Sequence, residues 1–142
     1  MKKEDVPEVM TIQSACPEIA QWTASDYTRA AVGDMTGWCA EESGAVCGFL
    51  VARQVANELE ILNFAVRPEK RQRGFGLALL EEAFAWGRQL SAEKAFLEVR
   101  VSNLAAIRFY EHNGFEVTGQ RPRYYSAPIE DALVLTAVLA AS

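Results

Sequence analysis

Apolar and polar positions change their spacing several times along the chain, and each change marks an element. Residues 5–14 and 17–32 read as two helices, separated near Pro17. Residues 38–41 and 46–53 read as strands joined by a turn at Ser43-Gly44. Residues 59–66 form a third apolar run, closed by Arg67-Pro68. From about 75 to 90 the spacing becomes helical, with Leu80, Ala83, Phe84, Gly87 and Leu90 as a core-facing stripe. Residues 96–101 predict a strand and 104–112 a short helix, which Asn113-Gly114 stops. Residues 115–117 and 132–139 supply closing strands. This order predicts a mixed α/β layer fold, with a mostly antiparallel central sheet, one or two crossovers and flanking helices.

Composition adds boundaries. A chain of 142 residues fits one domain, expected to span 1–142, and neither a repeat nor a linker divides it. No run of about 18 apolar residues is present, and Met1-Lys2-Lys3-Glu4-Asp5 leads into no hydrophobic signal core. Neither a membrane partner nor export is expected, and the cytoplasm is the expected compartment. Cys16, Cys39 and Cys47 are odd in number and lack zinc spacing, as reduced buried thiols would be. A net charge of -5 argues against a broad nucleic-acid-binding face.

Against that acidic background, Arg67, Lys70, Arg71 and Arg73 crowd four cations into seven residues. The segment Arg71-Gln72-Arg73-Gly74-Phe75-Gly76 lies between an apolar strand and an amphipathic helix. Glycines at such a turn let the backbone approach a ligand closely. The first helical amides lack intrahelical partners and favour negative charge. The combination suggests a phosphate site; the alternative is an Arg-rich, solvated helix entry. The turn lacks the three-glycine pattern of a dinucleotide-binding fold.

Strand alternation puts Phe96, Glu98 and Arg100 on one face of the 96–101 strand. Glu98 is then a mid-strand carboxylate whose desolvation would raise its pKa toward that of a useful base. It could equally be a rim residue paired with Arg100. Asn103 and Tyr110 lie two helical turns apart, on one face. Asn103 can cap the helix or bind a ligand amide. Tyr110 can donate a proton or simply pack its ring on the sheet. His112 is the only histidine, which weighs against histidine-metal and Ser-His-Asp chemistry, so no metal is expected.

Residues 59–115 together resemble the core of the GCN5-related N-acetyltransferases. The matching runs are Ile61-Leu62-Asn63-Phe64-Ala65-Val66, the Arg71 to Gly76 loop, Leu97-Glu98-Val99-Arg100-Val101-Ser102-Asn103, Ala105 through Glu111, and Gly114-Phe115. Trp22, Tyr124-Tyr125 and Glu130-Asp131-Ala132 extend the resemblance toward the bacterial subgroup that acetylates the N-terminal alanine of a ribosomal protein. Two departures stand out: the usual first strand is missing or vestigial, and the loop between Tyr125 and Glu130 is about two residues short.

The resemblance implies an acetyl-CoA-dependent transferase and assigns roles. Phe64, Ala65 and Val66 would pair their backbone with the pantetheine arm. Gln72, Arg73, Gly74, Phe75, Gly76 and Leu77 would cradle the pyrophosphate, and Asn103 would bond the cofactor arm. Glu98 would be the general base and Tyr110 the general acid, with the amine attacking directly in a ternary complex. The implied acceptor is the basic N-terminal peptide of a ribosomal protein. Glu41, Glu42, Glu130 and Asp131 would be placed to meet it, and Trp22, Tyr124 and Tyr125 would wall its first residues. An α-amine titrates near 7.7–8.0 against about 10.4 for lysine, so its nucleophilic fraction at neutral pH is hundreds of times larger. The alternatives are acetylation of a small amine and a non-catalytic acyl-CoA-binding domain.

Overall fold

The sheet is built from six strands in the order β1-β2-β3-β4-β6-β5. The computed structural model describes residues 1–32, 35–126 and 128–139. Along the chain come α1 (Val6–Ser14), α2 (Ala24–Val32), β1 (Thr36–Glu42), β2 (Ala45–Val55), β3 (Glu58–Val66), α3 (Phe75–Gln89), β4 (Lys94–Arg100), α4 (Leu104–His112), β5 (Glu116–Ser126) and β6 (Ile129–Val138). All pairings are antiparallel except β3 with β4, the single parallel contact. The α3 crossover carries the chain between those two strands, as a parallel pair requires. Among the described residues no strand precedes α1, and none of the helices is long and apolar enough to cross a membrane.

Alternation in the strands divides the apolar residues between two cores. On β2, Leu50 and Ala52 enter the cluster under α3, while Val46, Phe49 and Val51 enter the cluster under α1 and α2. Both faces of β2 are thus covered, which explains its unbroken buried run from Val46 to Ala52. Ala95, Leu97 and Val99 of β4 join the α3 core, leaving Phe96, Glu98 and Arg100 on the opposite face as alternation predicts. The Ser43-Gly44 turn forms, with both residues at positive φ (53° and 82°), the geometry that suits a two-residue hairpin.

Several expected boundaries move. The second helix begins at Ala24 rather than 17, and residues 15–23 are a turn-rich connection. Pro17 has no amide to give a helix. Thr23 and Asp26 then make a fresh start: the Thr23 hydroxyl accepts from the Asp26 amide (3.2 Å) and the Asp26 carboxylate from the Thr23 amide (2.9 Å), a capping box. Leu90 lies past the end of α3 and is 48% exposed; Leu79 takes its place in the buried stripe. The expected strand at 115–117 is an 11-residue strand, β5. Its pairing to β6 jumps from Arg121↔Ala132 to Tyr125↔Glu130, so three residues bulge out, and Pro122 is tolerated there on an edge strand. Tyr125 pairs with Glu130 and Ser126 with Ile129, so the shortened loop is a hairpin end; Ala127 lies outside the described residues.

Helix α3 sits close to β3 because position 87 has no side chain. A Cβ on Gly87 would lie 3.2 Å from Leu59 Cδ2 and 3.4 Å from Leu139 Cδ1. Gly87→Val should therefore overpack this contact and cost about 1–3 kcal/mol. Thermal unfolding would register it as a lowered midpoint, and an unchanged midpoint would show that the helix can yield.

Candidate active site

Strands β3 and β4 pair only where Glu58, Leu59 and Glu60 meet Lys94, Ala95 and Phe96. Beyond that point β3 keeps β2 and β4 keeps β6, and the two strands part. A register shift on β3 sets Ile61 opposite Ala52 and Asn63 opposite Val51, leaving Leu62 as the extra residue. The bulge exchanges the faces. Leu59 and Ile61 belong to the α3 core, as do Phe64 and Val66, whereas Leu62 and Ala65 belong to the other. Bulges of this kind re-aim side chains next to functional sites.

The opening between the strands holds two adjoining cavities, of about 280 and 360 Å³. They share Glu18, Ile19, Phe64, Asn103, Ala106 and Tyr110. The first extends toward Glu98, Trp22, Tyr124 and Tyr125. The second runs along Phe64, Ala65 and Val66 to Gln72, Gly74, Phe75, Gly76 and Leu77. Apart from Arg73, the sequence-predicted residues for cofactor and for proton transfer therefore line two adjoining cavities, with Tyr110 and Asn103 common to both.

The loop before α3 has the geometry of an anion cradle. Gly74 sits at φ 88°, and no side chain caps the helix behind it, so the first-turn amides are left for a ligand. A Cβ on Gly74 would meet no protein atom within 4 Å; it would point into open space. The cations behave differently from expectation. Arg67 Nε donates to the Val46 carbonyl (2.8 Å), and Lys70 Nζ is 2.6 Å from Glu42 Oε1. Arg73 forks onto the same Glu42 carboxylate, and it is absent from the second cavity's lining. Arg71 donates to the Val66 carbonyl (3.1 Å) and pairs with Glu18 (3.0 Å). Hydrogen bonds from Lys70 and Arg73 hold the Glu42 carboxyl below the usual range. An acidic chain has supplied its own counter-charges here.

Glu98 lies mid-strand with its side chain 14% exposed. Arg121 Nε is 3.4 Å from Glu98 Oε2, an ion pair without hydrogen-bond geometry, and that oxygen is buried with no hydrogen-bond partner among the described residues. The expected pairing with Arg100 is replaced: Arg100 Nη1 meets Glu130 (3.2 Å), and its guanidinium lies over the Tyr125 ring at 4.3 Å. Burial pushes the Tyr125 hydroxyl up to about 12, and the Glu98 charge adds to the shift. Tyr110 packs its ring against Phe64, Phe109 and Phe115 at 5.4 to 6.1 Å. Burial raises its hydroxyl well above the ordinary tyrosine value, so it stays protonated. Asn103 is the cap of α4, its Oδ1 accepting from the Ala106 amide at 3.3 Å, while the same residue lines both cavities.

The acids expected to meet a basic acceptor are occupied elsewhere. Glu42 serves the cofactor loop, and Glu41 is exposed on β1, at the far edge of the sheet. Glu130 accepts from the Ser102 amide (2.7 Å), and Asp131 accepts from Gln120 and the Arg123 amide. The carboxylates that line the first cavity are instead Glu18, Glu60 and Glu98. Sequence reasoning did not find Glu18 or Glu60. Glu60 alternates with Leu59 and Ile61, which was the available signal; Glu18 lies in a segment read as helix, so its loop placement was hidden.

Splayed strands, an uncapped helix N-terminus behind a glycine turn and a tyrosine common to both cavities are the features of the opening between β3 and β4. The acetyltransferase (GNAT) family model matches residues 6–115, and the chain belongs to that family of acetyl-CoA-dependent N-acetyltransferases. Over 137 residues it is 29% identical to the putative ribosomal protein bS18-alanine N-acetyltransferase of Bacillus subtilis, covering 95% of this chain and 90% of the relative. It is 34% identical over 96 residues to the ribosomal protein bS18-alanine N-acetyltransferase of Escherichia coli, covering 66% of this chain and 65% of the relative. The crystal structure of the ribosomal-protein-S18-alanine N-acetyltransferase from Escherichia coli superposes with a TM-score of 0.87 at 26% identity, covering 100% of this chain and 92% of that one.

The cradle geometry carries a direct test. Valine at position 74 would combine a strained positive φ with a side chain filling the open space. Gly74→Val should weaken acetyl-CoA binding at least tenfold, about 1.4 kcal/mol, with the far-ultraviolet circular dichroism unchanged. Calorimetry giving the parental affinity would remove this turn from the cofactor site.

Proposed function

We propose that the chain transfers the acetyl group of acetyl-CoA to the α-amine of a protein N-terminus, most specifically the alanine that begins a ribosomal protein, in the cytoplasm. The reading rests above all on two adjoining cavities that share Tyr110 as a wall, with Glu98 lining the first and the glycine turn the second. The names of the two relatives supply the acceptor.

Acetyl-CoA brings an activated thioester carbonyl and a sulfur that can leave. The backbone of Phe64, Ala65 and Val66, on the strand edge that β4 has left, holds the extended arm; the amides of the 72–77 turn hold the pyrophosphate. Asn103 fixes the arm beside α4. Glu98 takes the proton that the amine sheds on bonding to the carbonyl carbon, directly or through a water. Tyr110 gives its proton to the departing sulfur. Proton count is conserved, and no protein nucleophile is required. Much of the acceleration comes from holding amine and thioester together. Ile19, Trp22, Tyr124 and Tyr125 form the apolar walls of the acceptor arm, and Glu18 and Glu60, paired with Arg71 and Arg53, stand beside Glu98 along it.

Removing basicity with Glu98→Gln should cost about 10²-fold or more in turnover. The Tyr110 hydroxyl, neutral when protonated and raised by burial, keeps its proton to beyond pH 10. The parental profile should therefore show no alkaline fall from this group below about pH 10. Tyr110→Phe should lower turnover while acetyl-CoA affinity stays within a few-fold. Near-parental turnover in both variants would retire these two assignments.

Acceptor choice is tested by mass shift on three peptides: an Ala-starting basic peptide, its N-terminally blocked form, and a form with arginines made neutral. The first should be acetylated fast with a KM that rises with salt, since exposed charges are screened over about 10 Å at 0.1 M. The second should gain nothing at its α-amine, and the third should react weakly. Equal rates on free lysine, spermidine and neutral peptides would move the assignment to small amines.

A further inference from the structure

Gln13 and Asn63 are the buried polar side chains among the described residues, each 5% exposed, and neither belongs to the proton path. They come from different elements, α1 and β3, and they meet at the fully buried hydroxyl of Tyr27 on α2. Tyr27 donates to Gln13 Oε1 and accepts from Asn63 Nδ2 at 2.8 Å. Asn63 Oδ1 accepts from the Phe64 amide (3.2 Å), and three further bonds of the network go to one short stretch of backbone. Asn63 Nδ2 donates its second hydrogen to the Ala20 carbonyl (3.0 Å). Gln13 Oε1 also accepts from the Trp22 amide (2.9 Å), and Gln13 Nε2 donates to the Trp22 carbonyl (2.8 Å).

Ala20 and Trp22 lie in the turn-rich connection between α1 and α2, and both line the acceptor cavity. A segment without a ladder must have its buried backbone groups satisfied by side chains. Leaving one unsatisfied costs about 1–3 kcal/mol. The Trp22 ring is further packed on Tyr27, with centroids 5.2 Å apart. Asn63 thus ties the wall to β3 at Ala20, Gln13 ties it to α1 at Trp22, and the Tyr27 hydroxyl joins the two amides.

We propose that Gln13, Tyr27 and Asn63 are positioning residues for the acceptor, holding the Ala20–Trp22 wall at the distance from β3 that admits a peptide N-terminus. This rests on reading the first cavity as the acceptor site. The network reaches the cavity through backbone, so its loss acts on acceptor binding rather than on proton transfer. The cofactor turn has anchors outside this network, Lys70 and Arg73 on Glu42 and Arg71 on the Val66 carbonyl, and it meets the 15–23 connection through Arg71 at Glu18 and Cys16 rather than at Ala20 or Trp22.

Tyr27→Phe is the sparing probe, because it deletes one oxygen and keeps the ring contacts with Trp22 and Phe49. Gln13→Met is the second, cutting both bonds to Trp22. Each variant is measured for acceptor KM and kcat, for acetyl-CoA affinity by calorimetry, and for acrylamide quenching of Trp22 with Trp38 and Trp86 replaced by Phe. The acceptor is whichever amine the parental enzyme takes. The proposal expects acceptor KM to rise at least tenfold with kcat within threefold, acetyl-CoA affinity within threefold, and Trp22 more readily quenched. Unchanged KM and quenching in both variants would overturn it, whatever the melting temperature does. A parallel loss of acceptor and acetyl-CoA affinity would also overturn it, by reducing the network to general stability. Failure of the acceptor-site reading looks different: the parental enzyme itself would acetylate no α-amine.

Discussion

The separation of β3 from β4 after three paired residues is the constraint on which the rest of the site depends. A sheet that stayed zipped would bury the edge of β3 in a ladder and leave neither cavity. The chain enforces the parting from both sides. β4 finds a full antiparallel partner in β6, from Lys94↔Val138 to Arg100↔Ala132. β3 is committed to β2 through Val66↔Gly48. Between them stands an aromatic wedge, Phe64 against Phe109 and Tyr110, supplied by α4 from the far side of the crossover. The backbone left unpaired is thereby surrounded by protein, where an extended ligand can replace the missing strand.

Buried polar groups in this molecule divide into those that find partners and those that do not, the latter being Gln54 Oε1 and Glu98 Oε2 among the described residues. Gln13, Tyr27 and Asn63 satisfy one another and the loop completely, which is what a low-dielectric interior demands. Glu98 keeps a buried oxygen without a hydrogen bond, next to two tyrosines whose hydroxyls its charge disturbs. The same reasoning separates Glu130 from Glu98, since Glu130 is fully engaged by Ser102 and Arg100 and serves to hold the β5–β6 hairpin.

Elements with a strong period were legible in the sequence. The stripe on α3 apart from Leu90, the alternation that sets Phe96, Glu98 and Arg100 against Leu97 and Val99 on β4, and the stop of α4 at Asn113-Gly114 all rest on local rules, and all appear in the fold. The glycine turn, Glu98, Asn103 and Tyr110 were legible as candidates because a motif carried them, and the fold brings them to two adjoining cavities. What stayed hidden depends on partners distant in sequence. Nothing local marks Leu62 as a bulge, because the extra residue exists only relative to β2. Residues 118–126 look like a polar loop, and only pairing with β6 makes them a strand. The counter-ions of the loop arginines, Glu18 and Glu42, lie 53 and 31 residues away.

Those counter-ions change what the cofactor turn is able to discriminate. Three unpaired cations beside a glycine turn would attract any polyphosphate, and a cell is full of nucleotides and nucleic acids that carry them. With Glu42 and Glu18 already in place, an arriving phosphate exchanges one anionic partner for another and gains little net Coulomb energy. On the proposed reading, binding then comes from directional amide donors and from the length of an arm laid along β3, features that a free nucleotide does not match. The ion pairs act as a filter: charge alone opens nothing, and shape decides what stays.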